Sequence, residues 1–154
     1  MPLFLVNLDK KKINKMTHTI ETNWQGNMLF NVEEPGGTIS IDSDPQFGGQ
    51  NKGVLPKPLM LSALAGCTGM DVISLLKKMH AEVADFKIEV KGHLTDEHPK
   101  YYDAVEVVYK FYGSDFKKAK IEKAINLSVE RYCGVMEMFR QFAKVSTNIQ
   151  YFEQ

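Results

Sequence analysis

Cysteine is scarce in this sequence, with two in 154 residues, and arginine is no commoner, at positions 131 and 140 alone. Two thiols cannot build the disulfide-dense scaffold of a small secreted domain, so a reducing compartment and a cytoplasmic location are expected. An excess of one charge is also missing, since 19 Lys and Arg balance 19 Asp and Glu. A nucleic-acid partner ordinarily leaves a basic imbalance, so none is expected. The four histidines, His18, His80, His93 and His98, are scattered and form no cluster at metal-ligand spacing. They read as solvated surface residues, and no metal is expected. There is no GxSxG nucleophile elbow, and the glycine-containing loop Asp44 to Gly53 matches neither a Walker A loop nor GxGxxG, which removes those hydrolase and phosphate-cradle readings.

Long apolar runs are limited to one. Leu59 to Leu76 carries a single charge, Asp71, and its length approaches the roughly 20 residues of a membrane span. Asp71 would cost about 2.5–3.5 kcal/mol at mid-bilayer, and Ser62, Gly66, Gly69 and Ser74 add little insertion energy. With mean hydropathy of −0.26 over the chain, no membrane association is expected. The segment reads instead as a buried helix, begun by Pro56 and Pro58, running from about Leu59 to Met79 and ending at the basic pair Lys77-Lys78. Apolar or small side chains on every side of it require cover all round. A sheet can cover one side, leaving a second helix or a second subunit for the rest.

What remains has ordinary globular composition, 44% hydrophobic and 25% charged. One domain over 1–154 is expected, with residues 1–16 an irregular lead-in. Its apolar Met1 to Leu8 precedes the lysines 10–12, the reverse of a secretory signal. Strands are expected at Thr17–Trp24, Met28–Val32 and Thr38–Ile41, separated by Gln25-Gly26-Asn27 and Pro35-Gly36-Gly37. Phe86–Val90 and Ala104–Tyr112 alternate as a long exposed antiparallel hairpin. A second helix is expected from an N-cap at Asp115 or Ser114, with an Ile121, Ala124, Ile125 and Ser128 stripe and lysines on its wet face, stopping at Cys133-Gly134. A helical turn or two within Val135–Phe142 and a closing strand Val145–Phe152 follow. The order makes an α+β layered fold with a mainly antiparallel sheet, packed on the long central helix and the second helix.

Chemistry is left to the cysteines. Cys67 sits in the long helix between Gly66 and Gly69, Asp71 lies one turn beyond on the same helical face, and Cys133 lies in Arg-Tyr-Cys-Gly-Val. Two small core residues are one reading. A redox pair is the other, and it requires the two Cα atoms within about 7 Å and an accessible thiolate. Asp71 reads as structural, because a carboxylate beside a thiol opposes a second negative charge. Phe111, Tyr112, Phe116, Met136, Met138 and Phe139 read as core, interface or the wall of an oily pocket.

The helix segment AlaLeuAlaGlyCysThrGlyMetAspValIleSerLeuLeuLysLysMet resembles the first-cysteine helix of the OsmC/Ohr family of thiol peroxidases, and LeuSerValGluArgTyrCysGlyVal resembles its second-cysteine segment. The PheGlyGly loop and the lysine-rich second helix agree in order, so the resemblance covers roughly residues 17–152. It implies an OsmC-like intertwined homodimer with each long helix buried between both chains. It also implies reduction of organic hydroperoxides by Cys67 as peroxidatic thiolate, with Cys133 condensing to a disulfide that an external dithiol reductant resets, and no metal, flavin or haem cofactor. The family's activating arginine has no counterpart, since no arginine precedes Arg131, and Pro58 stands at the position of its glutamate. Lys52 and Arg131 are the candidate replacements. That departure sustains an alternative, a weak or inactive OsmC-like dimer serving small-molecule binding or redox sensing.

Overall fold

A computed structural model of the chain describes residues 17–154, so the lead-in expected over 1–16 lies outside the described residues. The chain divides into two compact units, with the boundary between Leu55 and Pro56.

The first unit is an antiparallel meander of β1 (Glu21–Trp24), β2 (Phe30–Glu34) and β3 (Gly37–Ile41). The Gln25-Gly26-Asn27 turn falls where expected, with Gly26 and Asn27 at φ 98° and 47°, the left-handed region that a glycine and an asparagine tolerate. Beyond β3 the buried Asp42 carboxylate accepts backbone N–H bonds from Ser43 at 2.8 Å and from Gln50 and Lys52 at 3.0 Å each. One carboxylate thereby gathers the loop that follows. Gly49 is obligatory in it, because a Cβ there would stand 1.7 Å from the Ser43 carbonyl oxygen.

The second unit opens with α1 (Pro56–Lys78), whose proline start and lysine end agree with expectation. Its burial does not. Within one chain only Leu64, Thr68, Val72 and Leu76 are buried, a stripe at i, i+4 spacing, while Met60, Met70 and Ile73 stand exposed. The physical reason is that this chain packs only one side of the helix. Of the described helices, α1 alone has the length and apolarity to cross a membrane.

Next come β4 (Asp85–Leu94) and β5 (Tyr102–Gly113), then β6 (Lys144–Glu153), in sheet order β4-β5-β6. The hairpin expected to be exposed is the framework of this sheet. β5 is its central strand, and Val105, Val107, Tyr109 and Phe111 turn into the core. β6 pairs with β5 in parallel, because the helical segment between them returns the chain to the starting end, as a crossover connection does. The mixed α+β fold thus has two three-stranded sheets, mainly antiparallel.

The second helix is shorter than expected and starts later. Asp115, the expected N-cap, adopts φ 53° in the turn leaving β5, and α2 runs Lys118–Leu127. Two lysines of this region do more than face water. Lys117 and Lys120 extend their Nζ groups to the carbonyls of His80 and Met79 at 2.7 and 2.8 Å, meeting the negative C-terminal end of α1. α2 then widens into a π-helical turn, Ser128–Tyr132, before α3 (Gly134–Arg140). Cys133-Gly134, expected as a helix stop, is instead a start. Cys133 is extended at φ −75° and ψ 98°, and its sulfur accepts the Met136 N–H as an N-cap at 3.3 Å.

Candidate functional site: a thiol pair beside a carboxylate

The long helix and the α2–α3 junction bring the sequence's chemistry together. The donor atoms of Cys67, Asp71 and Cys133 all lie within 4.8 Å of one another. Cys67 and Asp71 reach that point because residues i and i+4 share a helix face. Cys133 reaches it because the π-helical turn carries the chain past α1 before α3 begins. A π-helical turn often marks a functional site. Both cysteines are free thiols, Cys67 partly exposed and Cys133 buried at 4% exposure.

Burial pushes the Cys133 thiol up to about 12, reinforced by its contact with Cys67 and by the Asp71 charge, against a lowering contribution from the Met136 N–H. Cys133 is therefore protonated at neutral pH. Cys67 is the more accessible of the two.

A chain of buried hydroxyls ends on the carboxylate. The Tyr109 hydroxyl lies 2.7 Å from Thr68 Oγ1, Thr68 Oγ1 lies 2.9 Å from Ser128 Oγ, and Ser128 Oγ donates to Asp71 Oδ2 at 3.0 Å. An ionised carboxylate only accepts, so Ser128 spends its proton on Asp71 and accepts from Thr68, which in turn accepts from Tyr109. The polarity runs Tyr109 to Thr68 to Ser128 to Asp71. Burial holds the Tyr109 phenol up at about 12, which keeps it a donor at neutral pH. Nothing in the local sequence marks Thr68 or Tyr109 as a site residue; Ser128, a polar residue in the otherwise apolar stripe of the second helix, carries the one sequence signal.

Among the candidate replacements named from the sequence, Arg131 alone is placed near a thiol. Arg140 pairs with Glu130 at 3.0 Å and Glu137 at 3.6 Å. Arg131 lies over the Tyr132 ring at 5.7 Å and shares with Cys133 and Arg140 a surface recess of about 370 Å³. On the other side, Asp71, Ser74, Leu75, Lys78 and Tyr132 line a recess of about 340 Å³.

An α+β fold with a helix-borne cysteine facing a second at a helix junction defines a class of small two-thiol proteins. The OsmC-like protein family model matches residues 49–148, and the chain belongs to that family. Among curated proteins it is 28% identical over 96 residues to Protein YhfA of Escherichia coli K12, covering 62% of this chain and 72% of that protein. A hypothetical protein from Aquifex aeolicus shares 30% identity and superposes with a TM-score of 0.74, over 88% of this chain and 98% of that one. An organic hydroperoxide resistance protein OsmC from Legionella pneumophila superposes with a TM-score of 0.65 at 15% identity, over 88% and 99%, a likeness of fold alone.

Proposed function

We propose that this protein is a thiol-dependent reductase of organic hydroperoxides that works as a cytoplasmic, soluble homodimer through Cys67 and Cys133. One observation carries the reading: the two sulfurs, from segments far apart in the sequence, lie within 4.8 Å in a chain that belongs to the OsmC-like family. The partly exposed Cys67 takes the first step. Its sulfur bonds to the distal oxygen as the O–O bond breaks, and the thiol proton goes to the departing alkoxide, so the thiol and R–OOH become a sulfenic acid and R–OH. Cys133 then attacks that sulfur, a disulfide forms and the hydroxyl leaves as water with the Cys133 proton. An external dithiol reduces the disulfide by exchange, restoring both thiols. The buried, protonated Cys133 suits the second role, because it engages only after Cys67 has been oxidised beside it. No step calls for a metal or an organic cofactor.

The dimer rests on cover that one chain does not supply. A groove of about 710 Å³ along α1 is lined by Gly66, Gly69, Met70 and Ile73 with Phe86 and Ile88, and Met70 is 72% exposed. The described part of the first unit buries only Val32 and Asp42, too little core for a three-stranded sheet by itself. A second copy covering such surfaces removes apolar area from water at about 25 cal/mol per Å².

One observation favours a slower, sensing or small-molecule-binding role. Asp71 stands beside the sulfurs, Arg140 is committed to two glutamates, and a carboxylate opposes formation of a thiolate. Titration of the reduced protein with cumene hydroperoxide separates the readings. Loss of both thiols at one equivalent, abolished in Cys67→Ser, supports the reductase; thiols unchanged in excess peroxide leave the binding role. Light scattering at micromolar concentration tests the assembly, and a well-behaved monomer contradicts the dimer.

A further inference from the structure

We propose that Cys67, Asp71 and Cys133 form a binding site for a thiophilic divalent cation, with Zn2+ the ion the donor set fits best. No histidine or cysteine in the sequence lies at contiguous metal-ligand spacing, whereas the fold assembles these donors from two segments. Two sulfurs and one carboxylate oxygen converge within 4.8 Å. Around tetrahedral zinc, with bonds of about 2.3 Å to sulfur and 2.0–2.2 Å to oxygen, such donors stand roughly 3.5–3.8 Å apart. Closing that difference takes about 1 Å.

Three further features suit an ion. Cys67 and Asp71 stand at i, i+4 on one helix, the spacing by which helices present paired metal ligands. Ser128 holds Asp71 by Oδ2 at 3.0 Å, which orients the carboxylate and leaves Oδ1 to coordinate, and the Met136 N–H already points at the Cys133 sulfur at 3.3 Å. Such outer hydrogen bonds orient and tune metal ligands. A divalent ion bound to the three donors offsets the charge that two sulfurs and a carboxylate would share once the thiols give up their protons to it. The soft S2O set selects zinc over magnesium or calcium, which prefer oxygen donors.

On binding, each thiol loses its proton to solvent, two S–Zn bonds and one O–Zn bond form, water fills the fourth position, and no electron moves. The loaded site has neither sulfur free for a disulfide, so metal and peroxide compete for the same pair. The inference shares those sulfurs with the proposed reductase but stands without it, since binding requires no peroxide chemistry.

The test is an anaerobic Co2+ titration of the reduced full-length protein, with free thiols counted beforehand. The expected result is a thiolate-to-cobalt charge-transfer band that saturates at one ion per chain, is displaced by Zn2+ and is abolished in Cys67→Ser and Cys133→Ser. Asp71→Asn and Ser128→Ala, with folding checked by circular dichroism, should weaken Zn2+ binding about 10–100-fold. Absence of the band in wild-type protein with two counted thiols overturns the site. Unchanged zinc affinity in folded Asp71→Asn overturns the carboxylate ligand. Neither result bears on oxidation by cumene hydroperoxide, so the two proposals fail separately.

Discussion

The directional hydroxyl chain gives a graded prediction. Tyr109 is the terminal donor, and Tyr109→Phe removes one neutral hydrogen bond while Thr68 keeps its bond to Ser128. The cost should be about 1 kcal/mol. Thr68→Val removes two bonds and strands the buried Tyr109 hydroxyl, for about 2–3 kcal/mol. Ser128→Ala is worst. It deletes the bond to the Asp71 carboxylate, where bonds to charged groups contribute about 1.5–3 kcal/mol, and strands the buried Thr68 donor for roughly 1 more. Urea unfolding followed by circular dichroism reads the series. With an m-value near 2 kcal/mol/M, Ser128→Ala should lower the midpoint by more than about 1 M and Tyr109→Phe by about 0.5 M. The double variant Thr68→Val/Ser128→Ala should cost less than the sum of the singles by about 1 kcal/mol, since both break one shared bond. A Tyr109→Phe variant as unstable as Ser128→Ala would refute the assigned polarity, and strict additivity would refute the shared Thr68–Ser128 bond.

Other consequences are as direct. With its thiol near 12, Cys133 is thiolate in roughly one molecule in 10⁴ at pH 8, so iodoacetamide should modify Cys67 alone until the protein is denatured; equal rates by peptide mass mapping would contradict the burial. Gly49→Ala sets a methyl against the Ser43 carbonyl, and should destabilise the loop by about 1–3 kcal/mol, seen as faster proteolysis between Ser43 and Gly53. The N–H groups of Lys52, Ser43 and Gln50 hold the Asp42 carboxyl below its ordinary 3.8. Its stabilisation is present above that value and lost as pH falls through the lower folded one, so Asp42→Asn should flatten the acid limb of stability against pH. His93 behaves oppositely. The Asp103 hydrogen bond raises it above 6.5, so its contribution is complete below 6.5 and lost as pH rises through the folded value; His93→Gln should remove that alkaline loss.

Much of this fold was legible because local signals agreed with the tertiary outcome. Pro56 and Lys77-Lys78 bracket α1 within three residues of expectation, and the alternation of β4 and β5 matched their pairing. The failures occurred where tertiary context overrode local pattern. Gly134 reads as a helix stop, yet Cys133 caps a new helix because its sulfur finds the Met136 N–H. Asp115 reads as a cap, but the turn out of β5 puts it in the left-handed region. The parallel pairing of β6 has no local signature at all. At the site, both cysteines and Asp71 were legible as residues. The hydroxyl chain was not, since Thr68, Tyr109 and Ser128 meet across separations of 41 and 60 positions.

The central claim, that the Cys67 and Cys133 sulfurs of one chain act as a pair, has a direct measurement. Reduced protein is treated with one equivalent of cumene hydroperoxide, quenched by alkylation and mapped without reduction by peptide mass spectrometry. A single intrachain Cys67–Cys133 crosslink, with Cys67 held as sulfenic acid in Cys133→Ser, is the predicted result. Two alkylated thiols, or a crosslink running only between chains, would contradict it.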